Sequence, residues 1–286
     1  MVNLLFIEIP IIILAILCLP TIIKDKYKLK IFLLALVYAT IFENLNILLS
    51  EGKAGGYFYN PNFLLFLFDT PLFVIISWAL IILSSMLISN NLPIKEKFKP
   101  FSDALLILAI DLSVDVVAIR HNLWFWNEYS LNEGFFGIPA NNFIGWLLVA
   151  FVFCLAFRLL ENSRYKEKIF LHSILPFISY AGFLFLFYFA TFTEQALRLD
   201  KFTELFLVLF LVILFLTITL IEKTKKKTKA ENKQLISIIR IPFHFYAFMG
   251  IFTLKLYNEW LILNIVLFVL IVDLIINYFT KQKSYK

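Results

Sequence analysis

Long apolar stretches separated by short charged clusters dominate the chain. Nine of these stretches are predicted to be helices, at 4–23, 30–50, 69–89, 102–119, 141–161, 170–193, 203–221, 236–254 and 259–280. About 20 apolar residues cross a hydrocarbon core of about 30 Å, and a backbone in lipid must satisfy its hydrogen bonds internally. The pattern therefore predicts an all-α, polytopic transmembrane bundle of about nine spans, with a range of seven to nine. Residues 1–286 are expected to form one integral membrane domain.

Composition strengthens this prediction. The chain is 61% hydrophobic and only 16% charged, whereas soluble proteins carry about 25% charged residues. Cys18 and Cys154 each lie in an apolar stretch, and two such residues indicate neither a disulfide framework nor a metal site. The first stretch begins without Lys or Arg and is too long for a signal-peptide core, so it is predicted to be the first span.

The basic residues predict an orientation. Most of the 26 Lys and Arg residues lie in five alternate segments, at 24–30, 95–99, 164–168, 223–233 and 281–286. The positive-inside rule then places the N-terminus outside and the C-terminus in the cytoplasm, with the protein expected in the cell membrane. Attraction to anionic lipids of the inner leaflet explains the net charge of +6, so no nucleic-acid partner is expected.

Two outer loops differ from simple connections. Residues 51–68 begin with glycines and with Tyr57 and Tyr59, then turn apolar without reaching spanning length, which is typical of a re-entrant or interfacial segment. Residues 120–140 are rich in Trp, Tyr, Phe and Gly. An interfacial aromatic belt is one interpretation, but the density of rings favours a folded cap or pocket wall.

A few polar residues lie in the predicted spans or at their ends. They are Glu43, Asp69, Asp111, Asp115, Asn141 and Asn142. Ionisable groups inside a membrane are costly and are functional candidates by default. With the N-terminus outside, all six are expected at one level in the outer half of the membrane. Structural alternatives exist, such as pairing of Asp111 with Arg120 or His121, or capping of the fifth helix by Asn141 or Asn142 after Pro139.

The chemistry predicted for this cluster is that of a neutral acid. Asp111 and Asp115 lie four residues apart, so they share one face of a helix. An apolar pocket disfavours the charged form of a carboxyl group, and a second carboxyl group disfavours it further. The three His residues are scattered and the sequence has no metal or nucleotide motif, so no metal and no cofactor are expected.

The stretch between residues 43 and 146 resembles a known family. It contains DLSVDVVA from Asp111, WFW from Trp124 and GFFGIPANNFIGW ending at Trp146. These resemble the pattern D-x-x-x-D-P-V-A, W-x-W and G-x-Y-Y-G-V-P-x-x-N-F-x-G-W of the carotenoid biosynthesis membrane proteins. That family includes bisanhydrobacterioruberin hydratase and related carotenoid hydratases.

Upstream elements extend the resemblance. Glu43, the GGYFY run that ends at Tyr59, and TPL before Trp78 are similar to the family's E, G-x-Y-x-Y and V-P-L-…-W elements. Residues 147–286 carry no recognised motif and agree only in their hydrophobic pattern.

The resemblance implies a hydro-lyase that works as a hydratase on the terminal double bond of a linear carotenoid. Asp111 or Asp115 would protonate the alkene, and the other carboxyl group or Glu43 would activate water. The implied catalytic residues are Asp111, Asp115, Glu43 and Asp69, and the implied substrate-binding residues are Asn141, Asn142, Trp124, Trp126, Trp146, Tyr57 and Tyr59. The implied partners are a hydrophobic polyene or isoprenoid substrate, membrane lipid and other carotenoid biosynthesis enzymes.

The sequence departs from the family pattern at three positions. Val116 stands where the family commonly has Pro, and Phe135 and Phe136 stand where it has two tyrosines. The missing hydroxyl groups raise the question of what binds water or product here.

Two other functions compete with the hydratase. A UbiA-like prenyltransferase of the lycopene elongase type also has about nine helices, but its aspartate motifs lie on cytoplasmic loops. A lipid or isoprenoid transporter would commonly show internal repeats, and none is evident in this sequence.

Overall fold

The computed structural model describes residues 3–200, 203–222, 224 and 231–282, with side chains to residue 276. Within these residues the chain forms nine α-helices: α1 Leu5–Ile23, α2 Lys26–Ser50, α3 Leu72–Asn91, α4 Lys99–Arg120, α5 Ala140–Glu161, α6 Ile169–Ala196, α7 Glu204–Ile221, α8 Lys233–Thr253 and α9 Trp260–Gln282. The prediction of nine helices is thereby confirmed for the described part of the chain. The orientation of the termini stays a prediction.

Seven of these helices are long and apolar enough to cross a membrane, which fits an integral membrane protein. The other two are α4 and α9. Helix α4 carries Asp103, Asp111, Asp115 and Arg120, and these charges lower its hydropathy. The apolar segment found in α9 runs from Trp260 to Ile276.

Local sequence explains where several helices begin. Helix α2 starts after Asp25, whose side chain accepts hydrogen bonds from the backbone N–H groups of Tyr27 and Lys28, which satisfies two free donors of the first turn. Pro71 and Pro139 precede α3 and α5 in extended conformation. Neither α3 nor α5 has a side-chain cap, so the capping role considered for Asn141 and Asn142 is wrong, and both amides are available for other contacts.

Helices α3, α4 and α5 form the centre of the bundle. Helix α3 is buried over most of its length, because α1, α2, α4 and α8 all pack against it. Helix α7 packs on α4 and α5 at the periphery and exposes most of its apolar side chains. Such a surface is unfavourable in water and suits contact with lipid.

The two unusual loops fold together into a cap at one end of the bundle. Strand β1 (Tyr57–Tyr59) pairs antiparallel with β4 (Trp124–Trp126), so that Tyr57 lies opposite Trp126 and Tyr59 opposite Trp124. The prediction that the 120–140 loop forms a folded cap is confirmed.

The second half of the 51–68 loop is not a re-entrant helix. It leads into a hairpin of β2 (Phe66–Leu67) and β3 (Thr70–Pro71), and its apolar side chains at 64–68 are exposed, as expected of an interfacial segment. The buried carboxylate of Glu8 on α1 accepts hydrogen bonds from the backbone N–H groups of Leu64 and Leu65 at 2.9–3.2 Å. Glu8 therefore has the structural role of anchoring this loop.

The two arginines within the predicted spans form buried ion pairs. Arg158 on α5 donates to Asp103 on α4 through Nε at 2.7 Å and Nη2 at 3.0 Å. Arg240 on α8 donates through Nε to both carboxylate oxygens of Asp273 on α9, at 2.9 and 2.8 Å. Each pair joins two helices that follow one another along the chain, and each charge is compensated where water is excluded.

Candidate functional site

Beneath the cap lies a cavity of about 1400 Å³ with mostly apolar walls. Side chains from α1, α2, α3, α4, α5, α6 and α8 line it, together with residues of both cap strands. Four of the six polar residues predicted from the sequence line it, from α2, α4 and α5: Glu43, Asp115, Asn141 and Asn142. A large apolar cavity with a few convergent polar groups is the usual form of a small-molecule site.

The first polar cluster consists of two aspartates and one asparagine. Asn142 Nδ2 donates to Asp115 Oδ2 at 2.7 Å and lies 3.5 Å from Asp111 Oδ2. Both carboxyl groups are buried, with 0% of Asp111 and 2% of Asp115 exposed, and they lie within hydrogen-bonding range of one another. Two carboxylates can only accept, so a bond between them requires a shared proton.

Asp111 also has a free acceptor. Its Oδ1 atom is buried and meets no hydrogen-bond donor in the described part of the chain. A buried acceptor without a donor is unfavourable, whereas a protonated carboxyl group can donate to its neighbour. The geometry therefore favours one proton held between Asp111 and Asp115, at the wall of an apolar cavity.

The second polar cluster surrounds Glu43. Its Oε2 accepts from the hydroxyl groups of Tyr57 at 2.6 Å and Tyr59 at 2.8 Å, and its Oε1 accepts from Trp78 Nε1 at 2.6 Å. Burial, reinforced by the neighbouring Glu43, raises the pKa of Tyr57 and Tyr59 well above the usual value. Both phenols therefore stay protonated and serve as donors to Glu43, which ties α2 to the cap and to α3.

Indole rings form much of the remaining cavity wall. Trp78 and Trp146 stack with their ring centroids 3.9 Å apart, and Trp124 and Trp126 face the cavity from strand β4. The structure thus brings together all five aromatic residues predicted to bind substrate. Trp78 completes the group, and its motif resemblance was the only sequence signal that pointed to it.

Two predicted site residues are placed differently. The Asn141 side chain lines the cavity but turns toward α6, where the amide, oriented so that its nitrogen donates, lies 3.0 Å from each carboxylate oxygen of Glu194. Asp69 is exposed in the turn between β2 and β3, outside the cavity lining, and its backbone N–H donates to Asn44 at 2.8 Å. Asp69 therefore does not join Glu43, Asp115 and Asn142 at the cavity wall, although its contact with Asn44 places it near Glu43 along α2.

The pairing of Asp111 with Arg120 or His121 is also wrong. Arg120 Nη1 donates to the backbone carbonyls of Val116 and Phe136, at 3.0 Å each, and thereby holds the cap against the end of α4. His121 Nδ1 lies 3.0 Å from the hydroxyl of Tyr246 on α8.

The two phenylalanines that replace tyrosines do not face the cavity. The ring of Phe135 packs against Phe143 with centroids 5.1 Å apart, and against Phe136. Neither Phe135 nor Phe136 is among the cavity-lining residues. Their missing hydroxyl groups therefore remove no polar atom from this cavity.

Comparison with known proteins gives one match. A family model described as "Carotenoid biosynthesis protein" matches residues 2–215, which is well over half of the chain. This range extends on both sides of the motifs at 43–146 and includes every helix from α1 to α6. Comparisons with curated proteins and with solved structures gave no match.

Proposed function

The chain belongs to the carotenoid biosynthesis protein family and has a role in that pathway, and from this premise we propose that it is a hydratase. The proposed reaction adds water across the terminal double bond of a linear carotenoid, which would make the protein a hydro-lyase acting in the hydration direction. The observation that carries the proposal is the Asp111–Asp115 pair, suited to share a proton at the wall of a large apolar cavity.

The proton transfer begins at this pair. Its carboxylic proton adds to the less substituted carbon of the terminal alkene, and the π electrons form the new C–H bond. The neighbouring carbon becomes a tertiary cation. An oxygen lone pair of water forms the C–O bond, and the oxonium returns one proton to the pair. The product is a tertiary alcohol, and the acid is regenerated without a co-reactant.

Asn142 supports the acid by holding its geometry. The amide donates to Asp115 Oδ2 at 2.7 Å, so it stabilises the carboxylate that forms when the proton leaves. The same hydrogen bond also fixes α5 against α4 at the point where the acid faces the cavity.

Glu43 has a different proposed role from the one implied by the family resemblance. Its two oxygens already accept three hydrogen bonds from Tyr57, Tyr59 and Trp78. A carboxylate with that many donors is a weak base for water. We assign Glu43 to orienting the aromatic wall, and we leave the exposed Asp69 out of the mechanism.

The indole rings suit the charge that develops on the substrate. A cation over a Trp face is stabilised by up to roughly 2 kcal/mol when water is excluded. Trp78 and Trp146 are stacked, and Trp146 lies one helical turn from Asn142 on α5. The cavity wall beside the acid can therefore favour the cation over the neutral alkene.

The test is expression of the full chain in a cell that makes linear carotenoids, followed by mass analysis. A gain of one water per reacted end is the expected result, and Asp111→Asn and Asp115→Asn should each lower it at least a hundredfold. Glu161→Gln is the matched control, because that carboxyl group lies at the opposite end of α5 and pairs with Lys30.

Other outcomes would assign other functions. Product formation that stops when magnesium is chelated would favour the prenyltransferase, since the proposed hydratase uses no metal. Movement of carotenoid between membranes without chemical change would favour a transporter. Full activity of both Asp→Asn variants would contradict the mechanism and leave only the family role.

A further inference from the structure

Helix α8 contributes a tyrosine to the cavity, although it lies outside the region matched by the family model. The side chain of Tyr246 lines the same cavity as Asp115. The phenol and the Asp115 carboxyl group are close enough to interact electrostatically. Because α8 packs against α4, Tyr246 adds a hydroxyl group from a third helix to the cavity that Asp115 and Asn142 line.

This hydroxyl differs from the other tyrosine hydroxyls beside the acid. Tyr57 and Tyr59 each commit their proton to Glu43. The hydroxyl of Tyr246 instead lies 3.0 Å from Nδ1 of His121, the residue that follows the last residue of α4. A neutral imidazole nitrogen either donates or accepts, so the phenol keeps either its proton or its lone pairs for a second partner.

His121 can act as this neutral hydrogen-bond partner of Tyr246 at neutral pH. It lies beyond the last residue of α4, is half-buried, and has its Nε2 atom 3.4 Å from the exposed Thr253 hydroxyl. Partial burial lowers the pKa of His121 below its usual value, which keeps the ring neutral. The ring thus lies between the exposed Thr253 hydroxyl and the cavity-lining Tyr246.

We infer that Tyr246 holds the attacking water in the cavity and that His121 orients the Tyr246 hydroxyl. This inference rests on the proposed hydratase. In it Tyr246 is a catalytic residue, because its hydroxyl contacts the water that becomes the product oxygen, and His121 is a positioning residue. Phe135 and Phe136 lack the hydroxyl groups that tyrosines would have at these positions. In this inference Tyr246 on α8 supplies the hydroxyl group that binds water.

The fate of the tertiary cation reports on this role. The cation either gains water and becomes the alcohol, or loses a proton from an adjacent carbon to the carboxylate pair and becomes an alkene again. In D₂O the acid carries deuterium, so an alkene formed by the second route is labelled. A variant that cannot hold water should form less alcohol and more labelled alkene from the same cation. A merely structural change lowers both products together.

The experiment measures the ratio of alcohol to labelled alkene, with the purified full chain in lipid nanodiscs and a linear carotenoid in D₂O. Tyr246→Phe should lower this ratio about fivefold to tenfold, as expected for loss of one neutral hydrogen bond. Tyr257→Phe is the matched control, because Tyr257 is exposed and lies outside the cavity lining. The ratio is counted over molecules that react, so it does not depend on how much protein folds.

His121 supplies the second pair of variants. His121→Phe should lower the ratio about twofold to fivefold, and His121→Gln, whose amide can also bond the phenol, should restore most of it. An unchanged ratio in Tyr246→Phe, or an equal loss of both products, would overturn the inference while leaving the hydratase intact. Absence of alcohol from the wild-type protein would instead reject the hydratase, and the water-holding role with it.

Discussion

Arg240 lies in α8 with 1% of its surface exposed. Its guanidinium donates to both oxygens of Asp273 on α9, to Ser85 Oγ on α3 at 3.0 Å and to the carbonyl of Leu106 on α4 at 3.0 Å. His244, one turn further along α8, bonds the same carboxylate at 2.9 Å. This network connects four helices and fixes the one that carries Tyr246.

Arg240→Met removes the cation and keeps most of the side-chain volume. Asp273 is then a buried carboxylate with His244 as its remaining charged or polar partner among the described contacts. Breaking a buried ion pair in this way costs about 3–5 kcal/mol of unfolding free energy. Adding Asp273→Leu removes the uncompensated charge and should recover about 1–3 kcal/mol. Recovery stays incomplete because Ser85 and the Leu106 carbonyl have lost their donor.

The assay is reversible unfolding in mixed micelles with increasing SDS, followed by tryptophan fluorescence. Lys95→Met is the matched control, because Lys95 pairs with Glu222 at 2.6 Å but is 53% exposed, and exposed pairs contribute at most about 1 kcal/mol. If Arg240→Met lowered the free energy of unfolding by less than about 1 kcal/mol, the stabilising role of the buried ion pair would be refuted. A double variant whose loss equals the sum of the two single losses would refute it as well.

Three further changes test other parts of the structure. Glu8→Gln should cost about 1 kcal/mol and speed amide hydrogen exchange at Leu64, and unchanged exchange there would contradict the anchoring role. Glu43→Leu leaves three buried donors without an acceptor and should cost at least about 3 kcal/mol, with Glu43→Gln milder in the same SDS titration. Gly250→Ala places a methyl group 2.2 Å from Val117 Cγ1 and should cost about 1–3 kcal/mol. A thermal midpoint equal to that of the wild type would show that α8 can move away from α4.

The sequence by itself determines the helices. Spans of about 20 apolar residues have one stable form in lipid, so the predicted segments differ from the observed helices by only a few residues at most ends. It also determines which polar groups require an explanation. Glu43, Asp111, Asp115 and Asn142 are conspicuous because so little else in the spans is polar, and the structure gathers all four at one end of the bundle.

The sequence does not determine which groups the polar side chains contact. Asp69 and Asp115 both lie in predicted spans, yet a hairpin exposes the first and helix packing buries the second. Adjacent residues Asn141 and Asn142 turn to different helices, because successive side chains on a helix point about 100° apart.

Only the tertiary structure decided the contacts between distant segments. Strand β1 meets β4, Glu8 meets the loop after β1, and His121 meets Tyr246 across 125 residues of chain. No periodic pattern in the sequence indicates these contacts. Each forms only because the packed helices bring two segments together that are distant along the chain. The apolar pattern sets the bundle, and the packing of its helices decides which few polar atoms face the cavity.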